Sequence, residues 1–158
     1  MIRKCHSQDE AEILNVINEA AKAYSGAIPE DRYHDPYMPL SELRREMGEM
    51  TFFGYEEAGK LIGVGGYQPI KDVSLVRHLY VLPEHQKKGI GTNLLNHIRS
   101  IATGQRLLVG TWEAATWAIA FYEKHGFKLQ ENKTELLRKY WTIPDRQVDL
   151  SVVLAIDL

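Results

Sequence analysis

Leu79-Tyr80-Val81-Leu82-Pro83-Glu84-His85-Gln86-Lys87-Lys88-Gly89-Ile90-Gly91-Thr92 decides how this chain folds. An apolar strand-forming run, Val73 to Leu82, is halted by Pro83, and two glycines lead into Leu94, Leu95, Ile98 and Ile101, spaced as one helix face. Strand, loop and helix then follow in order. Gly89 and Gly91 carry no side chain to block close approach, and the first-turn amides of the helix are unpaired at the positive end of its dipole. Such a turn favours a phosphate group. The same spacing also fits a plain tight turn, so both readings stand at this point. A dinucleotide fingerprint needs glycine at the position of Leu94, and a Walker A Gly-Lys-Ser/Thr never occurs.

Upstream, Met1 to Lys4 reads as a short strand. Ser7-Gln8-Asp9-Glu10 has capping-box spacing, opening a helix whose Ile13, Ile17, Ala20 and Tyr24 share one face. Residues 25 to 40 hold Pro29, Pro36 and Pro39 with Tyr33, His34 and Tyr37, the composition of an aromatic binding loop. A short helix is expected from about Ser41, as its cap, to Glu49, followed by a hairpin of Thr51–Tyr55 and Leu61–Tyr67. Downstream, Arg106–Trp112 reads as a strand, Thr116–His125 as a helix closed by Gly126, and Phe127–Gln130 and Val148–Ile156 as strands. Two helix–strand crossovers beside a hairpin imply a mixed α/β layer. No repeat, linker or low-complexity tract divides residues 1–158, so a single domain is expected.

With 158 residues, 44% of them hydrophobic, the chain can bury one sizeable core unaided. A net charge of -2 supplies no field for nucleic acid or an anionic membrane, and no apolar run is long enough to span one. The single cysteine, Cys5, rules out an intrachain disulfide and suits a reducing cytoplasm. No His-x-x-x-His or His-Glu-x-x-His pair occurs, so no metal centre is expected.

Gln86-Lys87-Lys88-Gly89-Ile90-Gly91 matches the signature Gln/Arg-x-x-Gly-x-Gly/Ala, and this segment resembles the GNAT superfamily of acetyl-coenzyme A-dependent acetyltransferases. Ala118-Ile119-Ala120-Phe121-Tyr122-Glu123-Lys124-His125-Gly126-Phe127 looks like the second signature of that family. The resemblance implies an α/β (α+β) fold, a mixed, mostly antiparallel twisted sheet of about six to seven strands flanked by about four helices. It implies that Lys87, Lys88, Gly89, Ile90, Gly91 and Thr92 hold the coenzyme pyrophosphate, with Gln86 in the same motif. Leu79, Tyr80 and Val81, on a bulged strand, would meet the pantetheine arm through their main chain. Tyr122 corresponds to the general acid of many members. The family often has an Asn seven residues before that tyrosine; Ala115 stands there instead, so that coenzyme contact does not carry over.

Acetyl transfer needs an uncharged amine, whereas an alkyl ammonium has a pKa of about 10.4, so a base or desolvation is required. Glu113, just past a strand end, and His78, on the strand before the coenzyme loop, are the candidate bases. Glu84 is expected only to shape the loop. Tyr33, Tyr37 and Trp141 are candidate acceptor contacts, offering ring faces to an amine or covering an apolar end of the core. The expected activity is N-acetylation of a primary amine, of a small molecule before a protein. A non-catalytic acyl-coenzyme A sensor on the same scaffold is the alternative. Dimerisation is common in the family, and these residues do not fix it.

Overall fold

The glycines of Leu61-Ile62-Gly63-Val64-Gly65-Gly66 let a helix lie directly on a strand, and the sheet is built around that contact. The computed structural model describes residues 1–158. Its strands are β1 (Ile2–Lys4), β2 (Thr51–Glu57), β3 (Lys60–Ile70), β4 (Val73–Val81), β5 (Arg106–Trp112), β6 (Lys128–Leu129) and β7 (Ser151–Asp157). They form one sheet in the order β1-β2-β3-β4-β5-β7-β6. Only β4 and β5 run parallel; every other neighbour is antiparallel. The helices are α1 (Glu10–Ala21), α2 (Leu40–Met47), α3 (Ile90–Ile101), α4 (Thr116–Lys124), α5 (Lys133–Tyr140) and α6 (Asp145–Asp149). None is long and apolar enough to cross a membrane.

All of Leu61 to Gly66 is buried, so both faces of β3 are covered. A Cβ on Gly63 would lie 2.9 Å from Ile90 Cγ2, and one on Gly65 would lie 3.1 Å from Ile98 Cδ1. Glycine here therefore sets the depth at which α3 sits. Leu94, Leu95 and Ile98 are at most 1% exposed on the inner face of α3, each stabilising the fold by about 1.5–3 kcal/mol. Ile13, Ile17 and Ala20 are buried on one side of α1, as their spacing predicts, and Tyr24 is buried in the 3-10 turn, Lys22–Tyr24, that follows it.

Four local expectations are corrected. The first helix enters through a single 3-10 turn, Ser7–Asp9, and the cap bond runs from the His6 amide to Asp9 Oδ2 at 2.8 Å, one residue earlier than the Ser7 box. Asp9 is drawn there because Arg3 grips both its oxygens at 2.9 Å. Helix α2 opens on Pro39, not on Ser41. Residues 133–140, read as no element, form α5, whose Leu136, Leu137 and Tyr140 pack against Val153 and Ala155 of β7 in one core cluster. Val148 is not strand: it is buried in the short helix α6, and β7 starts at Ser151.

Candidate functional site

Between β4 and β5 the sheet opens. Their parallel pairing covers only Ser74 to Val76 against Leu107 to Val109, and beyond it β4 continues to Val81 bonded to β3 alone. The β3–β4 register slips between Val64 and Gly66, so the pairs Gly66–Arg77 and Val64–Tyr80 leave one extra residue on β4. This is the bulge expected before the glycine loop. At its centre His78 adopts φ 51°, a left-handed conformation that a non-glycine residue reaches only at a cost of about 1–3 kcal/mol. Twist and bulge together swing the end of β4 away from β5, leaving its outer edge from Arg77 to Val81 without a strand partner.

The loop that follows turns its amides outward. Lys87 (φ 65°) and Gly89 (φ 81°) are left-handed on either side of Lys88, an arrangement that gathers consecutive N–H groups into a concavity. The amides of Lys87, Lys88, Gly89, Ile90, Gly91 and Thr92 have no acceptor within the chain; the first turn-closing bond runs from the Asn93 amide to Gly89 O at 3.0 Å. Gly89 is the N-cap of α3, so the helix dipole points into the same concavity. Side chains in the loop are occupied elsewhere or free in solvent. Gln86 Nε2 donates to Val81 O at 3.1 Å, tying the loop back to β4. Thr92 Oγ1 lies 3.1 Å from His125 Nε2, and burial, with Lys124 and Arg99 nearby, lowers the His125 pKa. Lys87 and Lys88 are exposed. A Cβ on Gly91 would make only ordinary contacts, 3.6 Å to Phe121 and 3.7 Å to Val81, so packing within the chain does not demand glycine there.

Tyr122 of α4 is buried in a cluster with Val76 and Val109, the last paired residues before the strands part. Its hydroxyl has no hydrogen-bond partner in the chain, and burial, followed by the neighbouring Tyr24, pushes its pKa up. Tyr24 Oη and Tyr80 Oη lie 3.1 Å apart beside it in the opening. Ala115, where the resemblance puts Asn, is fully buried at the start of α4.

Two connected hollows lie at the opening. The smaller, about 120 Å³, is lined by Tyr24, Tyr80, His78, Thr111 and Trp112 among others. The larger, about 540 Å³, extends over α2, reaching Glu42, Arg45, Glu46, Glu49 and Trp141. His78, Tyr37 and Trp141 border both. Tyr37 Oη accepts a bond from Trp112 Nε1 at 2.8 Å, and Tyr33 stacks on the Tyr37 ring at 6.2 Å, so Tyr33 supports the wall without lining it. Glu113 is exposed, borders neither hollow, and contributes its amide to Leu150 O at 2.8 Å. Of the two candidate bases, only His78 faces the cleft.

Sequence reasoning missed the partner of His78. Glu46 of α2 is 4% exposed; its Oε1 accepts a bond from Arg77 Nη2 at 3.0 Å, and its Oε2 lies 2.8 Å from His78 Nε2. Burial works to raise the Glu46 pKa, but His78 and Arg77 outweigh it and hold the carboxyl below its ordinary range. The charge spacing of Glu42, Arg45, Glu46 and Glu49 reads in sequence as an exposed helix face, and nothing local marks one carboxylate as buried.

A GNAT acetyltransferase domain model matches residues 48–129. The UPF0157 protein YqkA of Bacillus subtilis is 33% identical over 104 residues, 63% of this chain; the chain spans only 30% of that relative's length. Among solved structures, the PaiA N-acetyltransferase of Thermoplasma acidophilum in complex with coenzyme A superposes with a TM-score of 0.73 at 21% identity, covering 100% of this chain and 98% of that one. A ribosomal-protein-alanine N-acetyltransferase from Brucella melitensis superposes with a TM-score of 0.67 at 18% identity, covering 100% and 99%. The domain match takes in the bulged strand, the amide-lined loop and the helix bearing Tyr122, and the chain belongs to the GNAT acetyltransferase family.

Proposed function

We propose that the chain acetylates a primary amine of a small molecule, using acetyl-coenzyme A bound along β4 and the loop after it. The observation that carries this reading is the run of six amides, Lys87 to Thr92, with no acceptor in the chain, beside the strandless edge of β4. The loop amides and the α3 dipole suit a diphosphate, and the free edge of Arg77 to Val81 suits an extended amide-bearing arm added like a strand. The coenzyme A in the PaiA complex supports the assignment of ligand. A hollow of about 540 Å³ suits a small acceptor.

His78, at the wall of both hollows, takes the proton from the acceptor ammonium. The amine nitrogen then forms a bond to the thioester carbonyl carbon, the carbon–sulfur bond breaks with its electron pair leaving on sulfur, and the nitrogen sheds its second proton to solvent as the amide forms. Tyr122 donates its phenol proton to that sulfur and recovers one through solvent. Burial raises the Tyr122 pKa and so keeps the phenol protonated until the thiolate appears. The same desolvation penalises the thiolate, so the proton still moves toward sulfur. Tyr37 and Trp141 hold the acceptor by their ring faces.

The test is release of free coenzyme thiol from acetyl-coenzyme A across a panel of small primary amines and free-N-terminus peptides. Acetylated small amine and thiol in equal amounts are expected. Saturable binding with no turnover on any acceptor would instead favour a sensor, and turnover on peptides alone would move the acceptor class.

A further inference from the structure

We propose that Glu46 is the positioning residue of the proton acceptor: it holds His78 as the tautomer protonated on Nε2, so that Nδ1 presents the lone pair to the acceptor amine. This rests on the reading of His78 as base. Three independent observations meet at the pair. The β4 bulge, with His78 at φ 51°, turns this side chain out of the strand's normal alternation and toward α2. Glu46, an otherwise costly buried carboxylate, arrives from a helix more than thirty residues away and is fixed by Arg77 through Oε1, leaving Oε2 for the imidazole. His78 Nε2 and Glu46 Oε2 stand 2.8 Å apart, off the line of a well-aligned bond, and neither atom has any other partner. No group of the chain engages Nδ1.

The surroundings limit how the ring moves. Phe52 stacks on it at 6.0 Å and 16°, and Tyr80 flanks it at 6.5 Å. A structural purpose alone would be met by the Arg77–Glu46 bond. A carboxylate facing one imidazole nitrogen while the other faces a cleft selects the tautomer and stabilises the charge that forms on proton uptake. The charged and titratable groups that share the two hollows with the ring are Glu42, Arg45, Glu46 and Glu49 from the α2 side, Arg32, His34 and Tyr37 from the segment before α2, Tyr24 from the turn after α1, Arg77 and Tyr80 from its own strand, and Tyr140 from α5.

The ring nitrogens of 15N-histidine-labelled protein, assigned with His78→Asn, read the state directly and need no acceptor. At neutral pH the Nε2-protonated tautomer is expected in the wild type and its loss in Glu46→Gln. Wild-type His78 as an imidazolium, or as the Nδ1-protonated tautomer, would overturn the proposal. With the most active amine of the panel, Glu46→Gln is expected to lower kcat about 10- to 100-fold with KM for acetyl-coenzyme A unchanged. In a His78→Asn background Glu46→Gln should add nothing further. An equal loss in both backgrounds would make Glu46 merely structural and contradict the proposal. Full turnover by His78→Asn would instead remove His78 as the base, while the tautomer measurement still reports whether Glu46 sets the ring.

Discussion

Replacing Gly89 by Glu and by Gln separates the electrostatics of the loop from its shape. Gly89 sits at φ 81°, and a Cβ built there meets nothing within 4 Å. Both variants therefore pay the same conformational cost, about 1–2 kcal/mol for a left-handed non-glycine residue, and neither adds a clash. They differ only in one negative charge placed where a diphosphate is expected. At a separation of ~6 Å and an effective dielectric between about 20 and 80, one pair of unit charges repels by about 0.7–3 kcal/mol. Isothermal calorimetry with acetyl-coenzyme A should show Gly89→Glu binding roughly 3- to 150-fold more weakly than Gly89→Gln, the gap narrowing at high salt. Thermal melts should overlap for the two variants. Equal affinities in two equally folded proteins would refute the placement of phosphate at this loop.

Tyr122→Phe should lower turnover about 10- to 100-fold while leaving acetyl-coenzyme A affinity unchanged, measured by steady-state kinetics beside calorimetry. Tyr37→Phe strips the buried Trp112 Nε1 of its acceptor, and a stability loss of about 1–3 kcal/mol should appear in denaturant titration. The Arg3 hydrogen bonds hold the Asp9 pKa down at about 2, against an ordinary 3.8. That stabilisation is complete above the unfolded value and drains away as pH falls through the folded one. Melting temperature should therefore drop as pH falls from 5 to 2, and less steeply in Asp9→Asn.

The β4–loop–α3 unit was legible because each part has a short-range cause: an apolar run, a proline stop, two glycines and a 3.6-residue period. The bulge was expected from the family resemblance alone, since no residue type announces φ 51° at His78. Helix α5 is hard to read because Lys133 to Tyr140 is eight residues long and half charged, its only apolar signal being Leu136, Leu137 and Tyr140. Val148, apolar and next to a strand, reads as strand and is pulled into α6 by packing against α5 and β7. The Glu46–His78 pair depends on tertiary approach across 32 positions and leaves no trace in either local sequence. Glu113 lies at a strand end, where a base is expected, but it is exposed to solvent, and only the three-dimensional placement separates it from His78.

The most direct measurement is an amide chemical-shift titration of 15N-labelled protein with coenzyme A. Saturable shifts concentrated on Lys87 to Thr92, with a second set along His78 to Val81, are the predicted result. Saturation of the protein with those amides unmoved would show that the coenzyme lies elsewhere.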